Sequence, residues 1–278
     1  YGDNDTYPVW GIQETEGFRS DVKVVNFTLL STPWNIDQVK RRTYEAMPVP
    51  GALTHEDYRD GTNDQIVVMD AESLDRFIKG QIQQGAPESI FEPFKKYIAQ
   101  DSMTVKEAIN FIKTKSPEKD EVLKMLFGDS RYERFNFIPV SKLIIPVNKE
   151  NAIKSGAVKS SDLPNMVDHI TIDYQRSTMF KNNLILLDIL AHFDWKRTMN
   201  FSNGGIYDSE NVFYLDDYLQ FDGFTYRLVP IKTPVRKDGE IGRVDAESLY
   251  QTVKNFRWGN FKNTDVHFDE TSTSNIIS

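Results

Sequence analysis

The most conspicuous group of polar residues is the stretch Gly2-Asp3-Asn4-Asp5-Thr6, near the start of the chain. In α/β folds, ligands commonly bind in loops outside the carboxyl ends of strands, directly before a helix. If this stretch is such a loop, Asp3 and Asp5 offer carboxylate oxygens to a divalent cation or to sugar hydroxyls. The candidate ligand-binding residues are therefore Asp3, Asn4, Asp5, Thr6 and the nearby Trp10.

Two other interpretations apply to the same stretch. Asp3 and Asp5 form an Asp-x-Asp pair, which nucleotide-sugar transferases use to hold a metal ion. That motif needs a nucleotide-binding half before it, and only two residues precede it here. A tight turn with a helix cap at Asp5 or Thr6 explains the same residues, followed by a helix over roughly 6–16 that Gly17 ends. The binding role and the structural role both stay open.

No catalytic constellation is recognisable elsewhere in the chain. The absence of cysteine excludes thiolate zinc sites, iron–sulfur clusters and a thiol nucleophile. The histidines His55, His169, His192 and His267 lie far apart, without metal-binding spacing. No Gly-x-Ser-x-Gly elbow, Walker loop or Gly-x-Gly-x-x-Gly motif occurs. We therefore predict no metal and no cofactor, and the sequence identifies no catalytic residue.

The aromatic residues are a second group that could contact a ligand. Aromatic rings stack on the faces of sugars, but they fill hydrophobic cores far more often. Both roles stay open for a set that includes Tyr7, Trp10, Trp34, Trp195, Phe221, Phe224, Tyr226 and Trp258.

The composition indicates a folded chain and narrows the choice of partners. Of the 278 residues, 39% are hydrophobic and 12% aromatic, which provides for a sizeable core and is unlike a disordered chain. The net charge of −8 argues against a nucleic-acid partner, because nucleic acids bind basic surfaces. No apolar run of about 18 residues occurs, so we expect no membrane-spanning helix among these residues.

Hydrophobic patterns predict the elements that would position these groups. Apolar and β-branched runs predict strands at 22–30, 66–69 and 143–147 that share one central sheet. A stretch that is apolar almost all round, 178–192, predicts a helix packed against that sheet. Strands that alternate with helices favour an α/β fold with a mostly parallel sheet and helices on both faces.

Helix signals dominate the residues around 71–135. Thr104 and Glu107 form a capping box, and Ser116 precedes Pro117 as a second helix start. No convincing linker divides the chain. We predict a single domain over 1–278, with a helical insertion around 71–135 and a polar tail at 263–278.

Five strings of residues carry a family resemblance. They are Gly2-Asp3-Asn4-Asp5-Thr6-Tyr7-Pro8-Val9-Trp10, Glu16-Gly17-Phe18-Arg19-Ser20-Asp21-Val22, Tyr58-Arg59-Asp60-Gly61, Asp194-Trp195-Lys196-Arg197 and Gly223-Phe224-Thr225-Tyr226-Arg227-Leu228-Val229-Pro230-Ile231. In this order and spacing they resemble a bacterial family of polytopic membrane proteins described as protein O-mannosyltransferase-like (domain of unknown function 2723). The resemblance extends to about Trp258, so it covers most of the chain.

The resemblance implies a longer protein in which a bundle of membrane helices precedes this segment. Such proteins resemble glycosyltransferases that use lipid-linked sugar donors at the outer face of the inner membrane. Their catalytic acid lies in an early extracytoplasmic loop, which this chain does not include. The chain would then be a soluble extracytoplasmic domain at the periplasmic face. Its partners would be the membrane-embedded remainder of the protein and a glycan or protein acceptor.

Three functions are therefore to be compared. The first is a domain that positions or recognises the acceptor of a lipid-donor glycosyltransferase without catalysing the transfer. The second is a non-enzymatic protein-interaction module, and the third is a carbohydrate-active hydrolase. A groove with exposed aromatic residues favours the first function, and a flat apolar patch favours the second. A hydrolase needs a cleft with two convergent acids.

Overall fold

The computed structural model describes residues 2–202, 213–233 and 242–255. The α-helices in this part of the chain are α1 (Asp3–Glu16), α2 (Pro33–Val39), α3 (His55–Tyr58), α4 (Ala71–Gln83), α5 (Glu92–Gln100), α6 (Val105–Lys113), α7 (Pro117–Phe127), α8 (Lys149–Lys154), α9 (Lys181–His192) and α10 (Ala246–Asn255). The predicted polar tail at 263–278 lies outside the described residues, as do His267 and Trp258.

The strands in the same part of the chain are short. They are β1 (Gln65–Val68), β2 (Ser102–Thr104), β3 (Phe135–Ile138), β4 (Lys142–Pro146), β5 (His169–Asp173), β6 (Thr178–Phe180), β7 (Asn200–Ser202), β8 (Leu219–Asp222), β9 (Thr225–Leu228) and β10 (Arg243–Val244).

These strands form three small sheets, with the orders β3-β1-β6, β2-β4-β5 and β10-β8-β9-β7. Each sheet has one parallel pair (β1 with β3, β2 with β4, β8 with β10), and the other pairings are antiparallel. The mixed α/β class is confirmed. The predicted central sheet, mostly parallel, is not what the described residues form, because β1 and β4 belong to different sheets.

The predicted strand at 22–30 was wrong. Asn26 is fully buried, and its Oδ1 accepts hydrogen bonds from the backbone N–H groups of Thr28 (3.0 Å) and Leu29 (3.3 Å). An asparagine that bonds the next peptide groups turns the backbone away from an extended path. The result is a 3-10 helix at Thr28–Ser31. Of its apolar side chains, only Phe27 and Leu30 are buried, and they pack into the core without forming a strand.

The apolar stretch at 178–192 forms two elements. Its first three residues are β6, which pairs with β1, and α9 begins only at Lys181. Nine of the residues of α9 are buried, and the helix contacts α6, the 3-10 helix Thr28–Ser31 and both β1 and β6. This confirms a deeply packed helix, in a position between other helices and a small sheet.

The residues around 71–135 contribute to two hydrophobic clusters. One is formed mainly by these residues, around α4, α5 and α7, by side chains such as Leu74, Phe91 and Val122, and it also includes Phe137 of β3. The other is the main core, into which α6 inserts Ala108 and Ile109 against α9. Strand β2 also lies within this stretch. These residues are therefore mainly helical but are joined to the rest of the fold through α6 and β2.

Candidate functional site

The stretch Gly2–Thr6 is not a loop, because α1 begins at Asp3 with Gly2 as its N-cap residue. The Asp3 carboxylate accepts a hydrogen bond from Asn26 Nδ2 at 3.2 Å, and the Asp5 carboxylate accepts one from Ser202 Oγ at 2.8 Å. Thr6 is buried, and its hydroxyl donates to the Gly2 carbonyl at 2.7 Å. The two acids thus fasten α1 to distant segments.

The other two candidates in α1 differ in their surroundings. Asn4 is exposed, whereas Trp10 is half-buried and its ring centroid lies 5.6 Å from that of Tyr7. The structure brings the five candidates together only as neighbours on one helix. A ligand role for Asp3, Asn4, Asp5, Thr6 and Trp10 stays a prediction.

A cleft lies where α9 begins, and we call it the α9 cleft. It is an open depression with a volume of about 620 Å³ and is lined by Ser31, Asp60, Gly61, Asp64, Arg134, Phe180, Lys181 and Asn182. Small-molecule sites typically enclose about 300–1,000 Å³. The lining comes from the 3-10 helix Thr28–Ser31, the turn before β1, the residue directly before β3, and the junction of β6 and α9.

One wall of the α9 cleft is an ion-pair cluster around Asp64. Its carboxylate lies 2.8 Å from Lys181 Nζ and 2.8 Å from Arg134 Nη2. Lys181 is almost fully buried and also donates to the Arg59 carbonyl at 3.2 Å. Burial works against ionisation of Asp64, but the hydrogen bonds from Lys181 and Arg134 outweigh it and hold the pKa of Asp64 below its ordinary value. Asp64 is therefore an ionised, fixed part of the wall.

A second part of the cleft, formed by Phe180, Asp60 and Asn182, takes no part in this ion-pair cluster. The Phe180 side chain is 54% exposed, so a large ring face is open to solvent. Asn182 Oδ1 accepts from the Asn183 N–H at 3.0 Å. Within the described residues, no protein group bonds the Asp60 carboxylate or Asn182 Nδ2. An open aromatic ring beside an unused carboxylate and amide can stack on an apolar face and bind hydroxyl groups.

The turn that presents Asp60 depends on a glycine. Gly61 has φ = 77°, in the left-handed region that other residues rarely adopt. The Thr62 N–H closes the turn on the Arg59 carbonyl at 3.0 Å. The string Tyr58-Arg59-Asp60-Gly61 therefore supplies a buried tyrosine and, two residues later, a cleft acid.

A second polar cluster surrounds Asp188, which is fully buried in α9. Its carboxylate accepts hydrogen bonds from Lys40 Nζ (3.1 Å) and from the backbone N–H groups of Ala52 (2.8 Å) and Leu53 (3.1 Å), and His192 Nδ1 lies 3.1 Å away. Both carboxylate oxygens are thus used by the protein. This geometry makes Asp188 an anchor for the segment around Ala52.

The cluster continues from Lys40 to the surface through Tyr58. The Lys40 ammonium lies 5.3 Å from the Tyr58 ring centroid, and the Tyr58 hydroxyl donates to Asp37 at 2.7 Å. His55 Nδ1 lies 2.9 Å from the same carboxylate. Burial opposes ionisation of Asp37, but the bonds from Tyr58 and His55 lower its pKa overall. Burial, with the bond to Asp37, raises the pKa of Tyr58, so this tyrosine stays protonated.

Among the described residues, no group of three or more His, Asp or Glu side chains is arranged to hold a metal ion. No helix there is long and apolar enough to cross a membrane.

A family model matches most of the chain. The model of TMEM260-associated domain 2 matches residues 1–248. The chain belongs to this family. No curated protein and no solved structure matches the chain.

The TMEM260-associated domain 2 match includes every residue of the α9 cleft and of the Asp188 cluster. It also includes the string Asp194-Trp195-Lys196-Arg197, whose role is structural. The Trp195 ring is buried and its Nε1 donates to the Pro146 carbonyl at 3.0 Å. Asp194 accepts from Asn151 Nδ2 at 2.9 Å, and Arg197 donates to the Met47 and Pro48 carbonyls. This string holds α8 and the segment after α2 against the end of α9.

Sequence reasoning singled out α1 and missed most of the α9 cleft. Asp64, Arg134 and Phe180 come from three separate segments, and no local pattern links them. The string that contains Asp60 and Gly61 was the only signal for the cleft. For Asp188, the signal was a single acid within the apolar run at 184–190.

Proposed function

We propose that this chain is the acceptor-binding domain of a membrane-associated glycosyltransferase, and that it holds the acceptor in the α9 cleft without catalysing the transfer. The observation that carries the proposal is the exposed Phe180 ring beside the unused groups of Asp60 and Asn182. A ring with an adjacent carboxylate and amide suits a sugar, whose faces are apolar and whose edges carry hydroxyls.

The family supports the membrane part of this proposal. TMEM260 is a membrane protein family, and the domain is described as associated with it. In our proposal the parent protein is of the protein O-mannosyltransferase-like type, with lipid-linked sugar donors. The domain then lies at the periplasmic face of the inner membrane, beside the membrane-embedded remainder of the same protein.

The charges in the cleft favour binding over hydrolysis. A glycosidase needs one carboxylic acid that is protonated near neutral pH. Asp64 is bonded to two cations that lower its pKa, so it is ionised and unsuited to donate a proton. Among the described residues that line the cleft, Asp60 is then the one unpaired acid, and a hydrolase would require a second acid.

The proposal is tested by binding of saccharides to the purified chain. Methyl glycosides of the common hexoses and their short oligosaccharides are titrated into the labelled protein and followed by NMR. We expect binding that Phe180→Ala and Asp60→Asn each weaken by about tenfold, the effect of losing about 1.4 kcal/mol. Phe18→Ala is the matched control, because Phe18 is 64% exposed and belongs to another surface.

Two results would overturn the proposal. One is the absence of any saccharide whose binding depends on Phe180. The other is turnover of a glycoside or of a lipid-linked sugar by the purified chain, which would locate a catalytic centre here.

A protein-interaction module is the second candidate, and the distribution of exposed apolar groups favours it. Among the described residues, eight of the thirteen exposed large hydrophobic side chains lie between positions 7 and 47. They are Tyr7, Val9, Ile12, Phe18, Val22, Trp34, Tyr44 and Met47. In this reading the surface of α1 and the segments after it contacts a partner protein. Loss of partner binding in Phe18→Ala, with Phe180→Ala unchanged, would support this candidate over the first.

A further inference from the structure

A second cleft lies between α5 and α6, far from α9 in the sequence, and we call it the α5–α6 cleft. It is an open groove with a volume of about 540 Å³, and its lining includes Tyr97, Gln100, Ser102, Asn110 and Phe111. None of these residues lines the α9 cleft. The volume is within the range of about 300–1,000 Å³ that is typical of binding sites.

Strand β2 borders this cleft with its outer edge. It is the first strand in the order β2-β4-β5, so it pairs with a neighbour on one side only. The Thr104 N–H is turned away from β4, since it donates to the Glu107 carboxylate at 2.7 Å, and Glu107 also lines the cleft. Successive peptide groups in a strand face opposite sides. The N–H and C=O of Ser102 therefore face the same outer edge as the Thr104 N–H.

Two unused amides flank this edge. The Gln100 and Asn110 side chains are exposed, and no protein group among the described residues bonds their amide atoms. Each amide offers two N–H donors and one carbonyl acceptor. Together with the Ser102 peptide group, they line the cleft with three groups that can each form hydrogen bonds with a peptide backbone.

The apolar wall of the cleft is fixed in place. The rings of Tyr97 and Phe111 are half-buried and perpendicular, with an interplanar angle of 89° and centroids 5.7 Å apart. Behind Phe111 lies the buried Lys119, whose ammonium is 4.7 Å from the ring centroid and donates to the Phe111 carbonyl at 2.6 Å. Such a wall accommodates one apolar side chain and offers no flat exposed ring for a sugar.

The rim of the cleft carries one ammonium group and one carboxylate, those of Lys96 and Glu107. The Lys96 ammonium lies 4.8 Å from the Tyr97 ring centroid and bonds no acid among the described residues. The nearby Glu107 carboxylate is already used by the Thr104 N–H and hydroxyl. The Thr104 hydrogen bonds lower the pKa of Glu107, and Lys96 helps to lower it through its charge, but the ammonium hydrogen bonds of Lys96 remain available to an acidic group on a ligand.

We propose that the α5–α6 cleft binds an extended polypeptide segment by adding it to the open edge of β2. The segment exchanges backbone hydrogen bonds with Ser102, Gln100 and Asn110. It places one apolar side chain against Tyr97 and Phe111, and an acidic residue next to it pairs with Lys96. Strand addition of this kind takes its affinity from main-chain bonds and its specificity from side-chain pockets.

The test is a selection of random heptapeptides, displayed on phage, against the immobilised full chain. Enriched peptides are synthesised, and their Kd is measured for the wild type and variants. We expect Kd to rise about tenfold or more in the double variant Gln100→Ala, Asn110→Ala. In Lys96→Gln we expect weaker binding that no longer depends on salt. Phe180→Ala is the control and should bind the peptides as the wild type does, because Phe180 belongs to the α9 cleft.

A second measurement separates strand addition from any loss of folding in the variants. In the wild-type complex, the Ser102 amide proton should exchange with solvent more slowly than in the free chain. The proposal is overturned by peptides that bind the double variant unchanged, or by a selection that enriches nothing. It is also overturned if methyl glycosides, and no peptides, shift the Ser102 and Asn110 signals. Each of these results leaves the saccharide test on Phe180 unaffected, so the two proposals can fail separately.

Discussion

The Asp188 carboxylate accepts a hydrogen bond from the Lys40 ammonium at 3.1 Å, although 148 residues separate the two in the chain. The same carboxylate binds the backbone N–H groups of Ala52 and Leu53. One fully buried acid thus ties α9 to α2 and to the segment that follows it. This arrangement leads to the first two predictions.

Asp188→Asn should destabilise the fold strongly. The change leaves the Lys40 ammonium, only 16% exposed, without its charge partner, and breaking a buried ion pair costs about 3–5 kcal/mol. The free energy of unfolding in urea measures the effect. Asp75→Asn is the control, since Asp75 forms an exposed pair with Lys79 that is worth less than about 1 kcal/mol. Equal losses in the two variants would contradict the anchoring role.

Gly51→Ala should also be destabilising, for a steric reason. A Cβ at position 51 would lie 2.3 Å from Asp188 Oδ2 and 3.1 Å from Lys40 Nζ, so the carboxylate would have to leave its place. We expect a loss of about 1–3 kcal/mol in unfolding free energy, as for other overpacked sites. Gly80→Ala, inside α4 with open space around its Cβ, should instead stabilise by about 0.5–1 kcal/mol. The opposite signs of the two changes are the check.

Lys119 should make stability depend on pH. Its ammonium donates to the carbonyls of Phe111, Ile112 and Thr114 at the end of α6, and burial lowers the pKa of Lys119 to about 7. In the unfolded chain the pKa is about 10.4, so between these values the unfolded state binds more protons than the folded state. The contribution of Lys119 to stability therefore rises with pH from about 7 to about 10.

The measurement is the unfolding free energy of the wild type minus that of Lys119→Met, at several pH values. The difference should increase with pH across this window and stay constant below it. Lys79→Met, at an exposed position, serves as the control and should give a difference without such a slope. A flat difference for Lys119→Met would show that its pKa is the same in both states.

Asp5→Ala should weaken the attachment of α1. The lost hydrogen bond from Ser202, at 2.8 Å, is worth about 0.5–1.5 kcal/mol. Asn4→Ala, one residue away and exposed, should change the thermal midpoint little. Melts with and without calcium, magnesium and sugars complete the test. A ligand that stabilises the wild type but not Asp5→Ala would establish the binding role that the sequence left open.

Most of the local structure was predictable because its causes lie within a few residues. The capping box of Thr104 and Glu107 forms as predicted, with Oε2 of Glu107 bonded to the Thr104 N–H at 2.7 Å. The Ser116 side chain likewise caps α7. Apolar runs located β1 and β4 to within a residue. Such signals depend on neighbours in sequence, which the sequence specifies directly.

The same reasoning failed where a residue's partner is distant or polar. The run 22–30 has the composition of a strand, but the buried Asn26 side chain bonds the next peptide groups and starts a 3-10 helix. The pairing of β1 and β4 with different neighbours also has no local signal. Strand partners are chosen by long-range packing.

By itself, the sequence determined the α/β class, the caps, and the deep burial of the apolar helix that became α9. Only the tertiary structure decided that Asp60, Asp64, Arg134 and Phe180 line one cleft. Only the tertiary structure also decided that α9 borders this cleft at its first turn and carries the Asp188 anchor further along. The reason is physical: hydrogen bonds and hydrophobic periodicity within an element act over a few residues. Clefts form where distant segments meet, and their meeting is fixed by the packing of the whole core.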